Sequence, residues 1–125
     1  MRELIIILPW PLKYLWPNKR GWSWQAQNAD KVTYYEEAFY YALDMRIKGN
    51  WQMPNKVRVS VKATRNGTGP AADVDNLLAA LKPAFDAFTQ ARVWVDDNPA
   101  HWELGTVESL KGDKTEVRIT VEALE

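Results

Sequence analysis

The sequence predicts a single domain of the α/β (α+β) class, in which a mixed β-sheet is covered by two main helices. Its length of 125 residues lies in the usual range for one domain, so residues 1–125 are expected to share one core. A composition of 46% hydrophobic and 26% charged residues is typical of globular proteins. Segments with the period of a strand alternate with segments that have the period of a helix, which favours a mixed architecture.

The first element is predicted to be a strand. The run Leu4–Leu8 is continuously aliphatic, which is typical of a strand buried on both faces at the centre of a sheet. Pro9, Pro11 and Pro17 then oppose regular structure, so a long loop is expected from Trp10 to Trp24. Such a loop is uncommon in a compact domain unless it binds something.

A first helix is predicted between Asn28 and Gly49. Asn28 belongs to the residue types that cap helix N-termini, and Gly49 to those that end helices. The apolar residues between them recur at helical spacing and are expected to cover the sheet: Val32, Tyr35, Phe39, Ala42 and Leu43.

The segment Val57–Ala63 alternates with period two and predicts a second strand. Its valines share one face, and Arg58, Ser60 and Lys62 share the other. One face of this strand is therefore expected to be exposed to solvent and basic.

A second helix is expected after residue 75, with a buried stripe that contains Leu77, Leu81, Phe85 and Phe88. Pro83 lies within this segment, so the helix is predicted to kink or restart there.

Three further strands complete the predicted sheet. They are Arg92–Val95, Trp102–Val107 and Val117–Val121. A turn at Gly112 and Asp113 separates the last two, which are expected to pair as a hairpin.

Composition excludes several classes of function. The chain has no cysteine, which rules out disulfides, thiolate chemistry and Cys-ligated zinc. The longest apolar run, Leu4–Leu8, is far shorter than the roughly 20 residues of a membrane span and does not resemble a secretory signal, so a cytoplasmic location without membrane contact is expected. Sixteen basic residues balance sixteen acidic ones, and nucleic-acid binding would therefore require local basic patches.

Two acidic segments are the candidates for chemistry. They are Asp73-Val74-Asp75-Asn76-Leu77 and Asp96-Asp97-Asn98. Gathered carboxylates suit a divalent cation. In an extended segment Asp73 and Asp75 share one face about 7 Å apart and can clamp one ion, and Asp97 or Asp96 can complete the cluster. The alternative is structural: Asp75 caps the second helix and the other aspartates occupy solvated turns.

Lys82 is the candidate cation of this site. It follows Asp75 by seven residues, which on a continuous helix places the two about 20° apart around the axis. A lysine there can stabilise charge that develops on a phosphate. The alternative is a solvated lysine on the helix surface.

The order of these motifs resembles the RusA-type Holliday junction resolvases, which are crossover junction endodeoxyribonucleases. The resemblance rests on Asp-x-Asp-Asn-Leu at 73–77, Lys-Pro-x-x-Asp-Ala at 82–87 and hydrophobic-Trp-hydrophobic-Asp-Asp at 93–97. The opening segments Leu8-Pro9-Trp10-Pro11 and Pro17-Asn18-Lys19-Arg20 are also similar. Together they cover most of the chain.

The resemblance implies a small homodimer that nicks opposing strands of four-way DNA junctions in recombination and repair, with Mg²⁺ as the cofactor and Mn²⁺ as a substitute. Asp73, Asp75 and Asp97 match the catalytic, metal-binding aspartates, with Asp96 as the alternate to Asp97. Lys82 matches the lysine of the motif only if one extra helical turn, residues 78–81, is allowed.

The segment before Asp73 departs from the family, whose members often carry several arginines there. Trp22 and Trp24 are interpreted either as base-stacking residues or as packing residues. DNA contacts are expected from the basic residues elsewhere in the chain: Lys19, Arg20, Arg58, Lys62 and Arg65.

Two alternatives to a junction resolvase follow from the sequence. A catalytically inactive RusA-like DNA-binding or assembly protein is favoured by the neutral net charge and the displaced lysine. A nuclease specific for flaps or forks is the other, because sequence does not rank branched substrates.

Overall fold

In the part of the chain that the structure describes, four strands and three α-helices form one small domain with a mixed sheet. The predicted α+β class is confirmed, whereas the sequence predicted five strands and two main helices. The structure is a computed structural model that describes residues 2–17 and 23–124. Its elements, in chain order, are β1 (Glu3–Leu8), a 3₁₀ turn (Lys13–Leu15), α1 (Trp24–Lys48), β2 (Val57–Arg65), α2 (Val74–Ala80), α3 (Lys82–Gln90), β3 (Trp102–Lys111) and β4 (Glu116–Ala123).

The strands are arranged in the order β1-β4-β2-β3. β4 is antiparallel to both β1 and β2, whereas β3 is parallel to β2. β1, β2 and β3 therefore run in the same direction, and we call the edge where they end the carboxyl edge of the sheet. The predicted hairpin between β3 and β4 is wrong, because β2 lies between them. A period-two pattern determines which face a side chain takes, but it does not determine the neighbouring strand.

β1 lies at the edge of the sheet, which corrects the prediction of a central strand. Leu4, Ile6 and Leu8 are buried on one face, while Glu3 and Ile7 on the other face are exposed. Its aliphatic sequence reflects one buried face and a partly exposed one.

The two faces of the sheet differ sharply in burial. The inner face carries the apolar residues of the core, and Val57, Val59 and Val61 show the alternation predicted for β2. We call the opposite side the outer face; on it Arg58 and Lys62 of β2 are exposed.

β3 approaches β2 closely where the pairing between them is irregular. The register shifts between Val59 and Val61. A Cβ atom on Gly105 would collide with the hydroxyl of Ser60. A larger residue at this position would force the Ser60 side chain to move.

α1 begins earlier than predicted. Ser23 is its N-cap, and the Ser23 hydroxyl accepts a hydrogen bond of 3.1 Å from the backbone nitrogen of Ala26. Asn28 lies inside the helix, so the start predicted there is wrong. Serine and asparagine both cap helices, and only packing decides between two candidates five residues apart. Gly49 follows the helix, as predicted.

The buried face of α1 agrees with the prediction in part, since Tyr35 and Phe39 pack against the core. Tyr34, Ala38 and Ala42 are buried, whereas Val32 is 51% exposed. The Tyr34 hydroxyl donates a hydrogen bond of 2.8 Å to the carbonyl of Pro9, and burial raises the pKa of this hydroxyl far above its ordinary value. This contact holds α1 against the segment that follows β1.

The second predicted helix is divided into α2 and α3 at Leu81, and Pro83 lies in the first turn of α3. The predicted restart at this proline is confirmed. Leu77, Leu81 and Phe88 are buried, as expected for the apolar stripe.

The segment predicted as a strand at residues 92–95 is an irregular turn in which Val93 and Trp94 are buried, so that prediction is wrong. The backbone nitrogen of Val93 donates to the carbonyl of Phe88 at 3.0 Å, and the indole of Trp51 donates to the carbonyl of Val93 at 2.9 Å. The indole of Trp94 donates to the hydroxyl of Thr89 at 2.7 Å. These bonds tie the segment to the end of α3 instead of to a strand.

None of the helices in the described part of the chain has the length and apolar character needed to cross a bilayer.

Candidate metal and nucleic-acid site

An open groove of about 320 Å³ lies at the carboxyl edge of the sheet. It is formed by the segments that follow β1 and β2 and by the start of α2. In sheets with parallel strands, ligands bind at the carboxyl ends because loops converge there. The residues that line this groove, which we call the edge groove, are Trp10, Trp16, Arg65, Thr68, Gly69, Pro70, Ala71, Ala72, Asp73 and Asn76.

One wall of the edge groove consists of two tryptophans and an arginine. The rings of Trp10 and Trp16 are stacked, with centroids 5.4 Å apart and planes inclined by 19°. The indole of Trp16 donates a hydrogen bond of 3.1 Å to the carbonyl of Pro11, which fixes the position of the Trp16 ring. The guanidinium of Arg65 lies 5.5 Å from the centre of the Trp10 ring. The wall therefore presents a cation held in place by an aromatic surface.

The acidic motif lies at the start of α2. Asp73 is the N-cap, with extended backbone angles, and Asp75 falls in the first helical turn. The prediction of an extended Asp73–Asp75 pair on one face is therefore wrong, because the helix starts between the two residues. The alternative in which Asp75 is the cap is also wrong, because the Asp73 carboxylate accepts the capping hydrogen bond from the nitrogen of Asn76 at 3.1 Å.

The first motif retains oxygen atoms for a ligand. Capping occupies Oδ2 of Asp73, and its Oδ1 is the second oxygen of the same exposed carboxylate. Asp75, two residues further along the chain, is also exposed. Asn76 adds a side-chain amide to the lining of the edge groove.

The second acidic segment lies elsewhere. Asp96 closes its own turn, since its carboxylate accepts hydrogen bonds from the nitrogen of Asp97 at 2.8 Å and from the side-chain amide of Asn98 at 3.1 Å. Asp96 and Asp97 line a separate groove beside Tyr35 of α1 and Asp86 of α3.

The structure does not bring Asp97 or Asp96 into the edge groove with Asp73. Within residues 2–17 and 23–124, no group of three or more aspartate, glutamate or histidine side chains is placed so that it could hold a metal ion.

Lys82 also lies outside the edge groove. It is the first residue of α3, and its ammonium lies 3.6 Å from the carboxylate of Asp86, one helical turn further on. The predicted alignment with Asp75 assumed one continuous helix, and the break at Leu81 removes that assumption. Lys82 lines a different groove, between α1 and the start of α3.

The expected DNA-binding residues are distributed over two surfaces. Arg65 lines the edge groove, whereas Arg58 and Lys62 lie on the outer face of the sheet. Lys19, Arg20 and the expected stacking residue Trp22 lie outside the described residues. Trp24 is the first residue of α1 and is 69% exposed.

Arg58 is engaged by two carboxylates. Its guanidinium lies 2.9 Å from Glu103 and 3.4 Å from Glu122. The hydrogen bond between Arg58 and Glu103 raises the pKa of Arg58 and lowers the pKa of Glu103. The charge of Arg58 is therefore largely balanced within the protein.

Two residues at these surfaces were not singled out by sequence reasoning. Trp16 supports Trp10 in the edge groove, and no local pattern distinguishes it from the other tryptophans. Arg118 is exposed on the outer face, and the alternation of β4 could have shown this, since Val117 and Ile119 on either side of it are buried.

The donor set of the edge groove suits a hard divalent cation. Mg²⁺ is commonly held by one or two carboxylates together with water and substrate phosphates, and the edge groove offers one carboxylate of this kind, that of Asp73. Arg65 in the same groove is suited to a phosphate oxygen. The residues present therefore fit Mg²⁺ in the company of a phosphodiester.

Comparison of the sequence with known proteins adds no assignment: no protein-family model matches the chain, and no curated protein is significantly similar to it.

Proposed function

We propose that this chain is a Mg²⁺-dependent, structure-specific endodeoxyribonuclease that cleaves branched DNA, with four-way junctions as the substrate class. The observation that carries the proposal is the presence of Asp73 and Arg65 in one groove at the carboxyl edge of the sheet. A carboxylate suited to a metal and a cation suited to a phosphate then face the same space. The resemblance of the acidic motifs to RusA-type resolvases supports the choice of substrate.

In this proposal Asp73 holds Mg²⁺ from the edge groove, and the resemblance adds Asp75, an exposed carboxylate in the first turn of α2, as a second ligand. The bound ion would polarise the scissile phosphate and lower the pKa of an attacking water. The Arg65 guanidinium, held over the Trp10 ring, binds a non-bridging phosphate oxygen and orients the phosphodiester.

The resemblance also implies that Asp97 is a metal ligand, with Asp96 as its alternate. It implies that Lys82 stabilises the charge that develops on the phosphate. These three residues line other grooves in the structure. Asp73 and Asp75 are therefore the first residues to test, and Asp97 and Lys82 are tested separately.

Cleavage of labelled DNA by the purified protein tests the proposal. Four-way junctions, flaps and linear duplexes are compared in Mg²⁺, in Mn²⁺ and in a chelator. We expect nicking of the four-way junction with either metal and none with chelator. Asp75→Asn should reduce cleavage by at least about 100-fold while junction binding is retained. Asp44→Asn, on an exposed part of α1, is the matched control and should cleave normally.

The results that would overturn the proposal are cleavage in chelator, full activity of Asp75→Asn, or no cleavage of any branched substrate. Preferential cleavage of flaps over four-way junctions would instead identify the flap- or fork-specific alternative.

A second candidate is a DNA-binding or assembly protein without catalysis. It is favoured by the separation of Asp97 and Lys82 from the edge groove. Junction binding with no metal-dependent nicking at any protein concentration is the result that identifies it.

Nicking of opposing strands at one junction requires two active sites, so the proposal includes a homodimer with a two-fold axis. Sedimentation of the protein with and without a four-way junction tests this, and a strictly monomeric protein on the junction would contradict it. A cytoplasmic location is part of the same proposal, since the substrate is DNA.

A further inference from the structure

The loop that follows β2 contains an asparagine followed by a glycine. Asn66 and Gly67 come directly after Arg65, the last residue of the strand, and the other six asparagines of the sequence all precede a different residue type. Further along the same loop, Thr68 and Gly69 line the edge groove. A chemical change at Asn66 or Gly67 therefore acts on the segment that forms one side of this groove.

The Asn66 side chain and the Gly67 backbone are close together. The backbone nitrogen of Gly67 lies 2.7 Å from Oδ1 of Asn66. Because Oδ1 is bonded directly to Cγ, the carbonyl carbon of the side-chain amide is also near this nitrogen. A nucleophilic nitrogen held close to a carbonyl carbon has already paid much of the entropy of reaching it.

The same nitrogen is not shielded by side chains. Gly67 has a φ of 111°, which favours glycine, and a Cβ atom built there would meet no described atom within 4 Å beyond its chain neighbours. Asn66 is exposed, so water reaches its amide. The nitrogen of Asn66 donates to the hydroxyl of Thr115 at 3.1 Å. The strand side of the pair is therefore held, while the Gly67 side is open.

Other asparagines in the described ranges are less well placed. At Asn50 the following nitrogen, that of Trp51, donates to the carbonyl of Arg46 at 2.9 Å. At Asn76 the following nitrogen is engaged in the same way at the start of α2. Asn98 precedes a proline, whose nitrogen has no proton to lose. Sequence and geometry thus favour Asn66 over these three.

We infer that Asn66 is a site of spontaneous deamidation. The Gly67 nitrogen loses its proton to a base and attacks Cγ of Asn66. The bond between Cγ and the side-chain nitrogen breaks, and that nitrogen takes a proton from solvent and leaves as ammonia. Water then opens the resulting succinimide ring to aspartate or isoaspartate. One water is consumed and one ammonia is released, with no oxidant or reductant.

Both products add a negative charge to the loop directly after Arg65. The isoaspartate product also inserts the side-chain CH₂ carbon into the main chain, which lengthens the path to the residues that line the edge groove. The groove should then bind an anionic ligand more weakly, since the new carboxylate opposes the charge of Arg65. This part of the inference rests on the proposed function for the choice of DNA as the ligand.

Peptide mapping by mass spectrometry tests the modification. The full native chain is incubated at several pH values, beside a free peptide of residues 64–70. We expect Asn66 to convert at least about tenfold faster than any other asparagine of the protein, and no more slowly than in the peptide. The rate should rise with pH, because the attacking nitrogen must lose its proton. Asn66→Gln should suppress the reaction at this position, because its amide carbon is one bond further away.

Binding to a fluorescent four-way junction, measured by anisotropy in chelator, tests the effect on the groove. Asn66→Asp reproduces one product. The matched control is Asn50→Asp, which adds the same charge after α1, next to Gly49 and Leu4 at the other end of β1. We expect Asn66→Asp and the incubated wild type to bind severalfold more weakly, whereas Asn66→Gln and Asn50→Asp should bind normally. Thermal midpoints check that each variant is folded.

An Asn66 that stays intact in the native protein while the free peptide is converted would overturn the inference, because the fold would then protect the pair. Equal conversion of the other asparagines would overturn it as well. Conversion of Asn66 with unchanged junction binding would refute the effect on the groove. A wild-type protein that binds no DNA would refute the proposed function, and the mass spectra alone would then decide the modification.

Discussion

The backbone nitrogen of Asn76 donates a hydrogen bond of 3.1 Å to the carboxylate of Asp73, so the first aspartate of the acidic motif is also the N-cap of α2. The same side chain lines the edge groove. One residue therefore both starts a helix and offers an oxygen to a ligand.

Substitutions at Asp73 should separate these two roles. Asp73→Ala removes the cap and should lower the free energy of unfolding by about 1 kcal/mol, whereas Asp73→Asn keeps a capping oxygen and should stay within a few tenths of a kcal/mol of the wild type. Both variants should lose Mg²⁺-dependent cleavage, because neither has the carboxylate charge. Urea denaturation and the junction assay measure the two effects. An Asp73→Asn protein that cleaves normally would exclude a metal-binding role.

Lys82→Gln should change little. Lys82 and Asp86 form an ion pair of 3.6 Å between exposed side chains on one helix, and such pairs contribute about 0.3–0.5 kcal/mol. Since Lys82 lines a groove other than that of Asp73, we expect cleavage within about threefold of the wild type. Parallel measurement on Asp86→Asn controls for loss of the ion pair. A loss of 100-fold or more in Lys82→Gln alone would support the catalytic role that the resemblance implies.

Trp51→Phe should destabilise the fold by about 2 kcal/mol. The Trp51 indole donates to the carbonyl of Val93 at 2.9 Å, and both groups are buried. Without the indole, this carbonyl is left in the interior without its partner. Trp24→Phe, at a residue 69% exposed, is the matched control and should be nearly neutral. Urea denaturation provides both values, and equal stability of the two variants would show that this bond contributes nothing.

The contribution of Glu103 to stability should depend on pH. Its hydrogen bond from Arg58 lowers the pKa of Glu103, so the folded state binds the proton less readily than the unfolded chain. The stabilisation is therefore fully present above the ordinary pKa of glutamate and is lost as the pH falls through the lowered folded value. Thermal midpoints of the wild type and of Glu103→Gln should differ at neutral pH and converge in strong acid.

Glu108→Gln, on the same strand, is the control for the pH experiment because Glu108 forms no ion pair with Arg58 among the described residues. A difference between wild type and Glu103→Gln that stays constant from neutral pH to strong acid would contradict the assignment.

Local patterns predicted the parts of the fold that depend on local interactions. The alternation of β2 placed Val57 and Val59 inward and Lys62 outward, and Pro83 marked the restart of the second helix, because side-chain period and proline geometry act within a few residues. Strand neighbours depend on the whole chain. The parallel pairing of β3 with β2 required the crossover through α2 and α3, and no local signal in β3 or β4 opposes the hairpin.

In the candidate site, too, local patterns predicted some features and the rest depended on the whole chain. The sequence placed Asp73 and Asp75 in an extended segment before the second helix, with Asp75 as helix cap in the alternative, but whether they share a face depended on where α2 begins. The segment Val93-Trp94-Val95 has strand-like composition because it is partly buried, yet its hydrogen bonds go to α3 and Trp51, and this changes where Asp96 and Asp97 lie. The sequence also did not show that the charge of Arg58 is balanced, because Glu103 and Glu122 reach it from strands that are distant in sequence.

The position of β4 in the sheet has a consequence for synthesis of the protein. Among the described strands β1 pairs with β4 alone, and Leu4 and Val121 are partners across the ladder although more than a hundred residues separate them. β1 and β2 are not neighbours in the sheet, so β1 has no strand partner until β4 has been synthesised. The aliphatic β1 therefore stays unpaired while the residues up to β4 are translated, and it needs protection from aggregation during that time.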